Sequence, residues 1–189
     1  MPGTKKPDAY LEQLKALLHA ASDAALYQTV VDAPFADKIH AVQCDLGITV
    51  LLLVNKKTKT IDRIALSNTE LAKKALEITA VPFHEIKIPV SSTSNAIATA
   101  IHTQKLQKVS DWKYLFTPVM TAKASRFNQA NAGIGCSMVV PLHDCHDGAA
   151  MIFSFYQQPE KINHRHVDFA KAYAALVGDL LRTRSSLPV

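Results

Sequence analysis

Apolar residues near the start of the chain recur at spacings of three and four, which is the period of an amphipathic helix. The pattern begins at residue 8 and continues to about residue 31. The apolar positions that share one face of this predicted helix are Leu11, Leu14, Leu18, Ala21 and Ala25. One long helix is therefore expected to open the fold.

A second helical pattern closes the chain, from about residue 163 to residue 184. Both terminal helices carry a further apolar line beside the first: Tyr10, Leu17 and Ala24 in one, and Phe169, Ala172, Leu176 and Leu180 in the other. A helix that is apolar on two sides is normally buried on both. The pattern predicts a homodimer through these helices. The alternative is that the two helices pack against each other within one chain.

Alternation and branched residues predict strands between the two terminal helices. Strands are expected at residues 41–45, 47–54, 61–66, 106–109, 138–140 and 149–156, with a further extended piece at residues 83–88. Polar residues 55–60 predict the turn of an antiparallel hairpin. Asp147-Gly148 predicts the turn of a later one, because Gly accepts the positive φ that a two-residue hairpin requires.

Capping residues predict three shorter helices among the strands. Asn68 or Thr69 precedes the first, and residues 91–94 precede the second, at residues 95–102. Thr117-Pro118 is expected to open the third, and Gly133 is placed to end it. No internal repeat divides this series of elements, so the order favours one central antiparallel sheet with helices on its faces.

The composition is that of an ordinary globular domain. The chain has 189 residues, of which 48% are hydrophobic and 20% charged, and this length favours one domain. No apolar run is long enough to span a bilayer, and none has the pattern of a signal peptide. Three scattered cysteines predict a reducing compartment rather than a disulfide framework. We therefore expect a cytoplasmic protein with no membrane partner.

The net charge of +5 would suit nucleic acid, but the basic residues are spread thinly along the chain. No aromatic residues interleave with them to form a stacking platform for bases. The charge is that of a solvated surface, and no nucleic-acid partner is expected.

The end of the chain resembles the end of a GAF domain. In that family a strand ending in Pro-Leu meets a hairpin, and here this strand is Ser137 to Leu142. A strand with an aliphatic-aromatic run follows, here Ile152 to Phe155, and then a Pro-containing loop and a closing helix. Residues 86–90 and 108–111 are similar to the middle of the family. The resemblance extends over about residues 28–182, although no single motif is an invariant fingerprint.

This resemblance implies an α+β fold with a central antiparallel sheet, helices on both faces, and the N- and C-terminal helices packed together. It divides the chain into an N-terminal helix at residues 1–27, a GAF-like domain at residues 28–184 and a tail at residues 185–189. GAF domains are usually sensory or binding modules. The expected function is thus to bind an unidentified small molecule and to act through dimerisation or a downstream signalling protein. The resemblance names neither the ligand nor a cofactor.

GAF domains place their ligand between one sheet face and the segments inserted before the last two strands, which correspond here to residues 94–102 and 111–133. The ligand-binding residues that the resemblance implies are Ile97, Ile101, Asp111, Trp112, Tyr114, Phe116, Arg126, Asn128 and Ser137. Leu51 or Leu53 is expected to add a wall from the sheet. The three aromatic residues alternate at period two and are expected to point one way from an extended strand. For each residue the alternative is simple packing in the core.

An enzyme is the alternative function. Some GAF proteins reduce free methionine sulfoxide through several cysteines near the pocket. Cys136 and Cys145 do not match the spacing of that enzyme, and Cys44 has no helix N-terminus or cation beside it that would lower its pKa. We therefore predict no catalytic residue and inert thiols. A third interpretation is a structural GAF domain whose pocket is filled by its own side chains.

The sharpest cluster of metal-ligating residue types is His143-Asp-Cys-His-Asp147. Structural zinc needs a tetrahedral ligand set, and adjacent hairpin residues point to opposite faces. A polar turn is therefore expected here, and no metal site. Cys145-His146 also has the dipeptide to which bilin chromophores attach in GAF domains, but it lies outside the expected pocket. Asn55-Lys56 lacks the later Phe and Glu of the cyclic-nucleotide signature.

Overall fold

The computed structural model describes residues 7–143 and 148–184. Within these residues one antiparallel sheet has six strands in the order β3-β2-β1-β6-β5-β4. The strands are β1 (Leu46–Asn55), β2 (Thr60–Leu66), β3 (Ile88–Pro89), β4 (Gln107–Val109), β5 (Cys136–Pro141) and β6 (Ala149–Phe155). The predicted hairpin between β1 and β2 and the last strand pair are confirmed.

Helices cover both faces of this sheet, which confirms the predicted α+β architecture. In the described part of the chain they are α1 (Pro7–Ala20), α2 (Leu26–Asp32), α3 (Lys38–Gln43), α4 (Glu70–Glu77), α5 (Ala96–Thr103), α6 (Lys113–Phe116), α7 (Ala122–Asn131) and α8 (His164–Thr183). Thr69 caps α4 and Gly133 follows α7 with a φ of 64°, both as predicted.

The prediction of a single helix over residues 8–31 is wrong, because the first helix, α1, ends at Ala20. Ser22 is extended, with φ −69° and ψ 158°, and a 3-10 turn at Asp23–Ala25 leads into α2. At this break the Arg184 side chain donates to the carbonyl of Ala21 and to Asp23 Oδ1. The apolar spacing continues across the break, so periodicity alone did not reveal it.

Two other predictions of local structure are wrong because each segment contains a short helix, with an Asp side chain bonded to backbone N–H groups at or just before its start. Residues 41–45 were expected to be a strand, but Asp37 accepts hydrogen bonds from the backbone N–H groups of Ile39 and His40 and starts α3. The aromatic residues 112–116 were expected to be extended. Asp111 accepts from the Lys113 N–H instead, and α6 follows.

The third predicted helix begins later than expected. Thr121, not Thr117, accepts a hydrogen bond from the N–H of Ala124 and caps α7. Thr117 follows α6 as an extended residue.

The sheet separates two hydrophobic cores, because alternate residues of its strands point to opposite faces. Leu51 and Leu53 of β1 belong to the core that α1, α2 and α8 cover. Val50 and Leu52 belong to the other core, which α4, α5, α6 and α7 cover. The expectation that Leu51 or Leu53 would line the pocket is therefore wrong for the cavity on the second face, described below.

The terminal helices pack together within one chain, as the fold prediction required. Tyr173 of α8 donates a hydrogen bond to the carbonyl of Val30 at 2.8 Å, and Tyr10 donates to that of Pro34 at 3.0 Å. Arg184 donates to the carbonyls of His19 and Ala21 at the end of α1. Much of the second apolar line is buried by this packing, including Tyr10, Phe169 and Leu180.

The described helices include none that is long and apolar enough to cross a membrane. Asp147 of the predicted second hairpin turn, Cys145, most of the His143–Asp147 cluster and the tail at residues 185–189 lie outside the described residues.

Candidate functional site

A cavity of about 50 Å³ lies between the second face of the sheet and the helices that cover it. From the sheet it is lined by Ile48, Val50, Arg63, Leu66, Ile152 and Ser154, and from the cover by Ala75, Leu76, Thr79, Phe83, Ile86, Trp112, Leu115, Phe116 and Asn128. This volume holds a few water molecules, whereas pockets for drug-sized ligands measure roughly 300–1,000 Å³. The cavity as it stands accommodates only a small molecule.

Arg63 of β2 reaches this cavity from the position directly before a β-bulge. Leu51 of β1 pairs with Ala65, and the next residue, Leu52, pairs with Arg63, so Ile64 is an extra residue in β2. Because the bulge interrupts the alternation of β2, Ala65 faces the core of the terminal helices while Arg63 faces the cavity. The guanidinium therefore enters an otherwise apolar face of the sheet.

Arg63 is buried, with 4% of its surface exposed, and its partners are few. One Nη2–H donates to the carbonyl of Leu115 at 3.3 Å, and the Nε–H has no acceptor. The guanidinium lies 4.5 Å from the centroid of the Phe116 ring and 6.0 Å from that of Phe83. Burial lowers the pKa of Arg63 to about 10, so the side chain stays charged at neutral pH.

Trp112 is fixed at the cavity by a chain of buried hydroxyl groups. Its indole Nε1–H donates to Ser137 Oγ at 2.9 Å, and Ser137 Oγ lies 2.8 Å from Ser154 Oγ. The Trp112 ring lies 5.4 Å from the Phe116 ring. Three successive elements, α6, β5 and β6, thereby hold one aromatic wall of the cavity.

Asn128 of α7 adds a second polar group. Its side chain is buried at 3% exposure and forms no hydrogen bond with the described residues. Its neighbour Gln129 is satisfied, since its amide accepts from the Trp112 N–H and donates to the carbonyl of Ser110. Asn128 therefore has donor and acceptor capacity left at the cavity wall.

Comparison with known proteins rests on structure alone. No protein-family model and no curated protein matches the chain. The GAF domain of an Acinetobacter phosphoenolpyruvate-protein phosphotransferase has a TM-score of 0.66 and 7% identity, over 99% of this chain and 99% of that chain. The GAF domain of the Coxiella burnetii phosphoenolpyruvate-protein phosphotransferase has a TM-score of 0.62 and 10% identity, over 96% of this chain and 97% of that chain.

The chain has the GAF fold. An enzyme with this fold is also similar to it: the free methionine-R-sulfoxide reductase from Neisseria meningitidis, in complex with its substrate, has a TM-score of 0.62 and 12% identity, over 98% of this chain and 96% of that chain. The solved structures with the GAF fold thus include both regulatory domains and reductases.

Four of the residues predicted for the GAF ligand site lie at or directly behind the cavity. Trp112, Phe116 and Asn128 line it, and Ser137 holds Trp112 through its hydroxyl. They come together because α6 and α7 both cover the sheet at the ends of β1, β2 and β6.

The other predicted site residues lie away from the cavity. Ile97 is completely buried and Ile101 partly buried in the core beneath α5. Asp111 and Arg126 form an ion pair at 2.9 Å near the surface. Tyr114 was expected to point with Trp112 and Phe116. In the helix α6 it points outward instead, with 45% of its surface exposed and Lys113 over its ring.

Arg63 was missed by reasoning from the sequence, although a signal was present. It follows Ile61 by two residues in the alternating strand 61–66, where an apolar residue is expected on the inner face. A charged residue at an inner position of a strand is unusual and marks a functional candidate. The alternation from Ile61 sets this inner position, and the bulge at Ile64, which the sequence does not announce, changes only the face of the residues that follow.

The two described cysteines both have a raised thiol pKa. Burial, with a smaller contribution from Asp45, raises the pKa of Cys44 to about 11. Burial also raises the pKa of the Cys136 thiol, which lies in the core on the opposite side of the sheet from the cavity. Neither side chain lines the cavity. The described residues also contain no cluster of three or more His, Cys, Asp or Glu side chains that could hold a metal ion.

Proposed function

We propose that this chain is a sensory or regulatory module of the GAF type, which binds a small molecule in the cavity beside Arg63. The observation that carries the proposal is the lining of the cavity. Aromatic walls combine there with two buried polar groups that keep unused hydrogen-bonding capacity among the described residues, the Nε–H of Arg63 and the side-chain amide of Asn128. Ligand sites have this character, since a few polar groups fix the orientation of a molecule that apolar walls enclose.

Trp112, Phe116 and Asn128 are the predicted residues that would contact this ligand, with Ser137 supporting Trp112. A contact with Ile97, Ile101, Asp111, Tyr114 or Arg126 would require a ligand that extends beyond the cavity. The division into a helix at residues 1–27, a domain at residues 28–184 and a tail belongs to the same proposal. The output would pass through a second copy of the chain or through a signalling partner.

The wall of the cavity that α4 and the residues after it form is the part that would open to admit a larger molecule. Of the residues of α4 only Ala72 is buried, and Leu76, which lines the cavity, is 43% exposed. Phe83 and Thr79 complete this wall and are themselves only partly buried. Segments with few buried apolar contacts open at the lowest free energy.

A reductase is the second candidate, and the similarity to free methionine-R-sulfoxide reductases supports it. Such an enzyme requires an accessible thiolate near the substrate. The raised pKa values of Cys44 and Cys136 count against those two thiols, which leaves Cys145 as the nucleophile to test. Reductase activity that disappears in Cys145→Ser would establish this function in place of a sensor.

A structural domain with a filled pocket is the third candidate, and the small volume of the cavity favours it. Native mass spectrometry of the freshly purified protein distinguishes it from a sensor. We expect a mass above 20.7 kDa per chain, from a retained small molecule that denaturation releases. Trp112→Ala should lose this molecule, because it removes one wall of the cavity, whereas Tyr114→Ala on the outer side of α6 should keep it. A bare protein mass, together with no response to a metabolite library, would contradict ligand binding.

A further inference from the structure

The cavity contains a positive charge with no counter-charge. No Asp or Glu among the described residues forms an ion pair with Arg63. Its neighbour in the strand, Asp62, points to the other side of β2, where it accepts hydrogen bonds from Asn55 and Thr60 and pairs with Lys87. Proteins almost never bury an arginine without an anion or a full set of acceptors.

The contacts that Arg63 does make leave its most directional donors unused. Guanidinium has a planar fork of N–H groups, of which Nη2 reaches the Leu115 carbonyl at a long 3.3 Å. The Nε–H, which takes part in the bidentate grip on a carboxylate, has no partner. The rings of Phe116 and Phe83 add cation–π contacts, with their centroids 4.5 Å and 6.0 Å from the guanidinium carbon. An anion in the plane of the guanidinium would complete this set.

We propose that the cavity binds a short aliphatic monocarboxylate, whose carboxylate group pairs with Arg63. This inference rests on the proposed function and names the chemical class of its ligand. A monocarboxylate matches the single cation in charge and the planar fork in geometry. A phosphate group carries nearly two negative charges at neutral pH, and the described cavity offers no second cation to balance them.

The remaining walls suit the other end of such a molecule. Ile48, Val50 and Ile152 present an aliphatic floor from the sheet, and the rings of Trp112 and Phe116 stand beside it. The volume of about 50 Å³ restricts the unstrained ligand to a few heavy atoms. Asn128 is the polar group within the same lining that would bind a keto or hydroxyl oxygen on the chain, since the hydroxyl groups of Ser154 and Thr79 already have partners. Propionate therefore tests the aliphatic floor, and pyruvate tests the polar group that would bind a keto oxygen.

Trp112 supplies the measurement, because it is the single tryptophan of the chain and lines the cavity. Acetate, propionate, butyrate and pyruvate are titrated into the protein while Trp112 fluorescence is followed. The neutral analogue propionamide, which has the same shape without the charge, is titrated in parallel. We expect saturable binding of the carboxylates and binding of propionamide that is weaker by roughly thirtyfold or more, since an unpaired buried charge loses most of the interaction.

Arg63→Met is the matching variant, because it keeps the length of the side chain and removes the charge. It should weaken propionate binding by roughly thirtyfold or more, yet leave the ligand-free melting temperature unchanged or higher, since an unpaired buried charge stabilises nothing. Arg182→Met is the control, because Arg182 is exposed and already paired with Asp179 on α8, which covers the opposite face of the sheet. It should bind propionate as the natural chain does. If Arg63→Met does not fold, the comparison of propionate with propionamide still tests whether the negative charge of the ligand contributes to binding.

Four results would overturn the inference, and they differ in what they say of the proposed function. Equal binding of propionate and propionamide, or undiminished binding by Arg63→Met, rejects the charge pair while small-molecule binding stands. Retention of a neutral or cationic molecule with no response to carboxylates likewise rejects the charge pair and leaves small-molecule binding in place. No response to any carboxylate, with no retained molecule by mass spectrometry, rejects both the inference and the proposed function.

Discussion

Buried polar side chains around the cavity differ in how completely they are satisfied. Trp112, Ser137 and Ser154 form a continuous hydrogen-bonded chain, and Gln129 uses both ends of its amide. Arg63 and Asn128 stand beside them with capacity left over. A satisfied polar group in a core is explained by the fold, whereas an unsatisfied one calls for a ligand or a water molecule. At the residue scale this contrast separates supporting groups from candidate binding groups.

The supporting role of Ser137 predicts an asymmetry between two similar substitutions. Ser137→Ala leaves the buried indole N–H of Trp112 without an acceptor, which we expect to lower the free energy of unfolding by about 1–3 kcal/mol. Ser154→Ala leaves the bond between Trp112 and Ser137 in place and should cost less. Urea denaturation followed by Trp112 fluorescence compares the two. Equal losses would show that the indole bond contributes nothing.

At the scale of the elements, the strands were the easier part to predict from the sequence. β1 and β2 follow the alternation and the polar turn between them, and the β5–β6 pair follows its branched and aromatic residues. The short helices α3 and α6 were missed because neither is long enough to show a periodic pattern. Asp37 caps α3, whereas the N-cap of α6 is Trp112, which makes no side-chain cap bond. Of the three aromatic residues predicted for the ligand site, Trp112 and Phe116 line the cavity. Tyr114 does not, because the helix α6 turns it away from them.

Asn95 joins two elements, and its removal should cost more than the loss of an ordinary cap. Its Oδ1 accepts from the N–H groups of Ile97 and Ala98 at the start of α5, and its Nδ2 donates to the carbonyl of Thr117 beyond α6. We expect Asn95→Ala to destabilise by about 2–4 kcal/mol, the sum of a lost cap and a buried carbonyl left unpaired.

Thr121→Ala is the control for Asn95, because Thr121 caps α7 at an exposed position. That substitution should cost only about 1 kcal/mol. Both values come from chemical denaturation. A loss in Asn95→Ala no larger than that in Thr121→Ala would contradict the joining role.

For the whole molecule, the terminal helices pack on one face of the sheet and the cavity lies on the other. The two-sided apolar pattern that predicted a dimer is largely accounted for within one chain, since Tyr10, Phe169 and Leu180 are buried. What remains for a partner is a narrower strip, with Leu17 44% exposed and Leu176 partly buried. The sequence pattern could not distinguish these two uses of an apolar face, because burial against the same chain and against a second copy require the same residues.

The predicted homodimer is tested on this strip. Light scattering at micromolar concentration should give twice the chain mass of 20.7 kDa for the natural protein. Leu17→Glu should reduce it to a single chain, because it places a charge in the interface. Leu76→Glu is the matched control, since Leu76 is similarly exposed but lies on α4, on the other face of the sheet. A monomeric natural protein would end the dimer prediction.

The bulge in β2 changes how the chain should respond to losing a residue. Removing one residue from a regular strand moves everything beyond it to the wrong face, which makes deletions there more damaging than substitutions. Ile64 is the extra residue between two correctly paired neighbours, Arg63 opposite Leu52 and Ala65 opposite Leu51. Deletion of Ile64 would leave Arg63 and Ala65 on the faces that they occupy now. It would also make the hydrogen-bonded pairing of β1 with β2 regular. A chain of 188 residues lacking Ile64 should therefore fold, whereas one lacking Leu52 should not.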